Sequence, residues 1–357
     1  MTELDSRRIA FVPFKDSTNA YIARMQRLLA NFGSIEQVMP LKKAFFAIFT
    51  GKFNRYDILW VNFTENDLLN TQGYLSLFNL VKVFGKTAIL IALSKKTVFV
   101  RHNNYPHGTH HNRVALLILL VNVYERMFDV VVTHSGAEVQ RHKMYCPHPL
   151  YTVVEDENNA NSNVLANLPE EYFIVFGRIL PYKKIDALVK SFPINKTLLV
   201  AGAVGDKNYA QKLSDISQNN FIFMPGYVTE MQAQKLVNGA RAVVISHSDA
   251  DMVVSGTFFY AMSLGKPVFA VETKFLSWIK PRISPELLIL AKDVDALCQL
   301  IDESAVNLGN LNNIDVQNHA QSIQHEFGDK TILSAISNIL AGNNLARNLY
   351  KDSSKPS

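Results

Sequence analysis

The sequence predicts an α/β protein of two domains, and three features predict it. Apolar runs of strand length alternate with helical periods, the rhythm of parallel strands joined by crossover helices. At 357 residues the chain is long for one hydrophobic core. The rhythm also breaks once, at the polar run Glu155-Asp156-Glu157-Asn158-Asn159-Ala160-Asn161-Ser162-Asn163, and then restarts.

In the first half the apolar runs predict strands at Ile9–Pro13, Ile58–Val61, Thr97–Arg101 and Val130–Thr133, with helices at Ala20–Phe32 and Arg113–Phe128. The run from Leu75 to Leu93 is interrupted by Asn79, Lys82, Gly85 and Lys86, so it reads as a core helix followed by a strand and not as a membrane span. The second half predicts strands Tyr172–Phe176, Thr197–Ala201, Phe221–Phe223, Ala242–Ser246 and Val268–Ala270. Between them fall helices Ile185–Ser191, Tyr209–Gln218, Glu230–Asn238 and Thr257–Ser263, then a βα pair over Leu287–Glu303 and a last helix from Thr331 to Leu349. Ligands in open α/β sheets bind beyond the carboxyl ends of the strands, so the chemistry is expected there.

Hydrophobic content of 48 % with 19 % charged residues describes a globular chain. Arg7-Arg8 runs directly into a strand, so no secretory signal is expected. Cys146 and Cys298 fall in different halves, which argues against a disulfide framework, and the cytoplasm is the expected compartment. The net charge of +5 divides unevenly, with +8 on residues 1–150 and −3 on residues 151–357. A basic first half calls for an anionic partner, a membrane surface or nucleic acid. Lys42-Lys43-Ala44-Phe45-Phe46-Ala47-Ile48-Phe49-Thr50-Gly51-Lys52-Phe53 has aromatics flanked by lysines, as an interfacial segment does; a buried helix with snorkelling lysines has the same pattern.

The richest stretch runs from Ser255 to Ala270. Ser255-Gly256-Thr257 leaves backbone N–H groups at a helix N-terminus, where the dipole favours an anion such as a diphosphate. Gly265 suits the left-handed position that closes the helix, and Pro267 cannot continue it. Upstream, Phe176-Gly177-Arg178-Ile179-Leu180-Pro181-Tyr182-Lys183-Lys184 puts cations at the carboxyl end of a strand, placed to neutralise a diphosphate leaving group. Together these resemble the nucleotide-sugar end of GT-B glycosyltransferases in the neighbourhood of family 4.

That resemblance covers roughly residues 8–345 and implies the GT-B fold, two Rossmann-like domains facing across a cleft with a C-terminal helix crossing back. The expected divisions are 1–150 for acceptor binding, 151–170 as linker, 171–330 for the nucleotide sugar, 331–350 for the crossing helix and 351–357 as tail. It implies that Arg178 and Lys183, with Lys184 adjacent, hold the diphosphate, and that Ser255, Gly256 and Thr257 cradle it. The strand–glycine turn Phe223-Met224-Pro225-Gly226-Tyr227-Val228 implies that Gly226, Tyr227 and Val228 border the base. Phe99-Val100-Arg101-His102-Asn103-Asn104-Tyr105-Pro106-His107 resembles an element of exopolysaccharide enzymes, which implies that His102 contacts the donor sugar. Thr133-His134-Ser135-Gly136 is expected at the same cleft.

The sequence departs from that family where two glutamates, the second of which binds the ribose, are usual. Counting back from Gly265 puts Met252 and Tyr260 at those places, and one of the nearest acids, Asp249 or Asp251, is expected to take over part of the lost role by contacting the donor sugar. Asp16 either caps a turn or serves as general base in an inverting displacement. Asp249-Ala250-Asp251 imitates the metal motif of another fold, and His107, His110 and His111 fit no compact zinc pattern, so neither metal nor cofactor is expected. The resemblance implies transfer of a hexose from a nucleoside-diphosphate sugar to a lipid-linked saccharide in surface-polysaccharide assembly, at the cytoplasmic face of an anionic membrane. Alternatives are a non-catalytic nucleotide- or glycan-binding subunit and a nucleotide-sugar epimerase. Nucleic acid is not an expected partner, because the basic half carries no recognised motif.

Overall fold

Two six-stranded sheets, every neighbouring pair parallel, carry the architecture of the computed structural model, which describes residues 7–15, 19–70, 73–106, 113–140, 143–153, 168–247, 252–304 and 313–342. The chain divides into two compact units. The first takes Met1–Pro149, Ala250–Val254 and Asp329–Ser357; the second takes Leu150–Asp249 and Ser255–Gly328.

In chain order the first unit's elements begin with β1 (Arg8–Val12), α1 (Ala20–Leu29), β2 (Ser34–Gln37), α2 (Leu41–Thr50) and β3 (Tyr56–Asn62). They continue with α3 (Leu77–Ala92), β4 (Ser94–Arg101), α4 (Val114–Glu125), β5 (Val130–Thr133) and β6 (Lys143–Tyr145). Then come the second unit's β7 (Phe173–Phe176), α5 (Ile185–Ser191), β8 (Leu198–Gly202), α6 (Lys207–Ser214), β9 (Phe221–Pro225), α7 (Glu230–Gly239) and β10 (Ala242–Ile245). After these follow α8 (Gly256–Ser263), β11 (Val268–Val271), α9 (Lys274–Ile279), β12 (Leu288–Ala291), α10 (Val294–Glu303), α11 (Asn313–Phe327) and α12 (Asp329–Ala341).

The first sheet has the order β2-β1-β3-β4-β5-β6 and the second β12-β11-β10-β7-β8-β9. Both orders are doubly wound, reversing direction at β1/β3 and at β7/β10, the points where such sheets open a crevice beyond the strand ends. Central strands bury both faces, as parallel sheets demand. In β1, Ile9 and Phe11 join one core with Trp60 and Val98, while Ala10 and Val12 join the opposite core with Leu59 and Phe99.

Helix α12, the last of the described elements, belongs to the first unit. Ile332, Ile336 and Ile339 form a fully buried stripe packed with α1. Lys96 donates to the carbonyls of Ile339 and Leu340, both at 2.7 Å, so a cation closes the helix C-terminus. Arg24 pairs with Asp329 at the other end.

The structure corrects the reading of Leu75–Leu93. One helix, α3, spans nearly all of it, capped by Ser76, which accepts from the Asn79 N–H at 3.3 Å. Gly85 does not break it, and the next strand begins only at Ser94. Two strands were not foreseen. β2 and β6 are short edge strands of mixed polarity, with no apolar run to announce them. The buried-helix reading of Lys42–Phe53 is also overturned. In α2 the small residues Ala44 and Ala47 face inward, whereas Phe45, Phe46 and Phe49 are 63 %, 67 % and 82 % exposed. No described helix is long and apolar enough to cross a membrane.

Candidate functional site

In the second unit the site grows from the carboxyl end of β7, at the β7/β10 reversal. Gly177 follows the strand with φ +108, and a Cβ there would come within 3.1 Å of the Lys183 ammonium and 3.7 Å of the Thr257 hydroxyl. Gly202 ends β8, and a side chain there would collide with the Gly177 carbonyl, so two glycines let adjacent strand ends close together. The Phe176 carbonyl accepts from Lys183 Nζ at 3.3 Å and from Thr257 Oγ1 at 3.4 Å. Lys183 and Thr257, far apart in sequence, are thereby brought onto one backbone oxygen.

A short 3₁₀ turn, Pro181–Lys183, carries Lys183 inward to 6 % exposure, and the Ser246 hydroxyl at the end of β10 donates to its carbonyl. Lys184 is exposed and left-handed, with φ 51, and begins α5. The two lysines therefore differ in kind: one ammonium is buried at the strand end and the other is solvated. Burial pushes the Lys183 ammonium down to about 8, with the like charge of Arg178 acting in the same direction. Arg178 itself is exposed.

Ser255 stands at the N-cap of α8 without a side-chain capping bond, followed by Gly256 and Thr257. The first amides of a helix have no partner within the helix and carry its positive dipole end, and the Thr257 hydroxyl ties this end of α8 to the Phe176 carbonyl. Tyr260, one turn on, stacks on Phe176 at 5.3 Å and is 9 % exposed. Its hydroxyl donates to Glu230 Oε1 at 2.9 Å, and burial together with that carboxylate holds the phenol well above its ordinary range. Gly226 ends the β9 turn, Tyr227 beyond it is 86 % exposed, and Val228 is half-buried. From sequence, Tyr260 had been named as a donor-site residue standing where the resembled family has a carboxylate; Glu230, which accepts from its hydroxyl, had not been singled out.

The first unit gathers a different set at the carboxyl ends of β3, β4, β5 and β6. His102 stacks on Phe63 at 3.7 Å, its Nε2 lies 3.4 Å from Asn62 Oδ1, and Tyr21 meets its ring edge-on at 4.8 Å. His134 Nδ1 donates to the Cys146 carbonyl at 2.8 Å, which leaves Nε2 to accept from the Tyr21 hydroxyl at 2.9 Å. His148 Nδ1 donates to the Pro149 carbonyl at 2.8 Å, with its ring 5.1 Å from that of His134. Burial lowers all three imidazoles, His134 to about 4, so the cluster is neutral at pH 7. His148, Tyr21 and Asn62 had not been singled out from sequence.

A buried ionic set fixes the backbone after His102. Arg101 pairs with Glu125 at 2.7 Å and donates to the carbonyls of Asn103 and Asn104, while Lys143 meets Glu125 at 3.2 Å. Glu65 Oε1 accepts from both the backbone and the side-chain amide of Asn103, each at 3.2 Å. Asp16, Asp249, Asp251, His107, His110 and His111 lie outside the described residues. Among the described residues no three ligating side chains converge to hold a metal ion.

The sequence matches no protein-family profile and no curated protein. Solved structures do resemble the chain. HepE of Anabaena in complex with UDP has a TM-score of 0.60 at 14 % identity, over 94 % of this chain and 100 % of that one. Sucrose-phosphate synthase from Thermosynechococcus elongatus gives 0.65 at 15 %, over 95 % and 100 %. A glycosyltransferase from Rickettsia africae gives 0.55 at 11 %, over 95 % and 99 %. At such identities the likeness concerns the fold, and the fold is GT-B.

Proposed function

We propose that this protein is a glycosyltransferase that takes a hexose from a nucleoside-diphosphate sugar and passes it to a lipid-linked saccharide in surface-polysaccharide assembly. The observation that carries the donor half is the convergence of Lys183 and Thr257 on the Phe176 carbonyl beside Gly177. A buried ammonium, a helix N-terminus and an exposed arginine meet at one strand end, and a leaving diphosphate is the ligand that uses all three. Solved neighbours of the same fold hold UDP or UDP-glucose, which supports this reading.

In this mechanism Lys183 and Arg178 neutralise charge as it develops on the leaving diphosphate, and Ser255, Gly256 and Thr257 orient it. Lys184 lies at the solvated rim, Tyr227 and Val228 border the base, and His102 in its neutral form hydrogen-bonds the sugar. The roles of Asp16 as base and of Asp249 or Asp251 toward the sugar belong to the same proposal. No resident metal or cofactor enters it. A thermal-shift screen of UDP, GDP, ADP and their sugars tests the donor site. One nucleotide is expected to stabilise the protein, with the shift lost in Arg178→Ala. No shift with any nucleotide would sink the donor reading; binding without transfer to any acceptor would favour a non-catalytic subunit.

The acceptor half rests on the outward aromatics. Phe45, Phe46 and Phe49 of α2, with Leu77, Phe78 and Val81 of the neighbouring α3, are all more than 60 % exposed, and Lys42, Lys43, Lys52 and Lys82 are exposed on the same segments. Apolar side chains among lysines suit the interface of an anionic cytoplasmic leaflet, where a lipid-linked acceptor resides. Replacing all three phenylalanines by serine is expected to cut sedimentation with phosphatidylglycerol vesicles by about tenfold or more, without lowering Tm. Equal sedimentation of wild type and variant would remove this face from the proposal.

A further inference from the structure

We infer that Asn62 is a positioning residue for His102, holding the imidazole as the Nε2–H tautomer so that Nδ1 meets the sugar as a hydrogen-bond acceptor. The inference rests on the reading of His102 as a sugar contact and adds the direction of that contact: a sugar hydroxyl donates to the ring. Asn62 is fully buried at the end of β3, and its amide can point only one way. The Val12 carbonyl lies 3.0 Å from Asn62 Nδ2 and can only accept, so the nitrogen serves that carbonyl and Oδ1 is left for His102. Oδ1 is itself only an acceptor, so the His102 nitrogen 3.4 Å from it, Nε2, carries the proton. Nδ1 is then the lone-pair nitrogen, and among the described residues no hydrogen bond occupies it.

The neighbouring rings show that this is particular to His102. His134 and His148 each donate from Nδ1 to a backbone carbonyl, so as neutral rings they are the opposite tautomer. The Tyr21 hydroxyl lies 3.4 Å from Asn62 Oδ1 but 2.9 Å from His134 Nε2, and its one proton goes to the nearer acceptor. All three imidazoles are buried and neutral, and only His102 has a side-chain amide oxygen at Nε2. Its plane is fixed as well, with Phe63 stacked at 3.7 Å and Tyr21 edge-on at 4.8 Å. Phe63 has a left-handed φ of 59, which a bulky side chain adopts only at a cost. That strained residue directly follows Asn62, so the group at the ring's edge and the group on its face are neighbours in the chain.

Long-range proton–nitrogen NMR spectra of the full chain labelled at histidine, with His102→Gln to assign the signals, test this. In wild type, His102 is expected to show a protonated Nε2 and a bare Nδ1, and His134 and His148 the reverse. Asn62→Leu leaves a buried Nε2–H with nothing to accept it, so the proton is expected to move to Nδ1. Asn62→Asp retains an accepting oxygen and is expected to keep Nε2 protonated. Isothermal titration then compares UDP-glucose with UDP, GDP-mannose with GDP and ADP-glucose with ADP. In Asn62→Leu the sugar's contribution to affinity is expected to drop about tenfold while the bare nucleotide binds as in wild type, a split that a general packing defect does not give. A protonated Nδ1 in wild-type His102, or an Nε2–H that persists in Asn62→Leu, overturns the assignment. A moved proton with the sugar's contribution intact overturns the sugar contact while the tautomer stands. Failure of wild type to bind any of these compounds overturns the donor reading, and the spectra alone then decide the tautomer.

Discussion

Lys183→Met is expected to weaken nucleoside-diphosphate binding by about 100-fold or more and to leave the free protein at least as stable as wild type. Both effects follow from one fact. The ammonium is buried to 6 % exposure with a backbone carbonyl for company, and among the described residues the charge that acts on it most is the like charge of Arg178. A buried cation without a counter-ion costs the fold free energy, which methionine of similar shape relieves. A bound diphosphate supplies a counter-ion that none of the described residues provides, so the same burial that strains the free protein strengthens the complex. The pH dependence separates this from a packing role. Lys183 sits near 8 when folded, against about 10.4 for an unperturbed lysine, so the unfolded chain holds the proton more tightly between those values. Stability of the free protein therefore rises with pH across that window, by about 3 kcal/mol in total from this group. Affinity for the diphosphate moves the other way, falling above pH 8 as the ammonium is lost. Titrations from pH 6.5 to 9.5 on wild type and Lys183→Met should show the fall only in wild type; a parallel fall in both would assign the charge elsewhere.

Much of this site could be read from sequence because its signals are local. A glycine after an apolar run, a cation next to it and a small-residue helix start are adjacent letters with direct physical meaning. The resemblance put Lys183 ahead of Lys184, but the physical difference between them is not in the letters: the left-handed turn at Lys184 leaves one side chain buried and the other exposed. The Tyr260–Glu230 contact was illegible for another reason: an acid in the first turn of a helix is ordinary, and the two residues lie 30 positions apart. The fold followed the same divide. Central strands, buried on both faces, were plain in the sequence, whereas the edge strand Lys143–Tyr145 has three residues and no apolar run. With β6 unseen, nothing placed His148 beside His134. Helix α2 shows the limit of composition, since lysines around aromatics fit a buried or an exposed helix equally. Only packing, with the alanines turned inward, distinguishes them.

The histidine cluster that β6 completes carries the second large effect: the first unit is expected to lose its fold on mild acidification. His102, His134 and His148 are all buried, and all have pKa values lowered by burial, His134 to about 4. An unfolded histidine titrates near 6.5, so below that value the unfolded chain binds protons that the native cluster refuses. Stability then falls as pH drops below about 6.5, by up to about 1.4 kcal/mol per pH unit for each ring that stays neutral in the fold. A domain stable by about 5–15 kcal/mol cannot absorb that for long. No carboxylate among the described residues contributes to the three shifts, so none offsets them. Asp57 and Glu36 are held low by Lys95 and Arg8, and their own contribution is lost only below about pH 4. The windows are therefore separate. Trp60 is fully buried in the first unit, and Trp278→Phe makes it the sole tryptophan reporter. Urea melts of that variant at pH 7.5, 6.5, 5.5 and 4.5 should show a midpoint falling steeply below 6.5, and His148→Asn should remove about one third of the slope. A midpoint unchanged down to pH 4.5 would mean that these rings accept protons in the folded state, and the neutral hydrogen-bonding role given to His102 would fail with it.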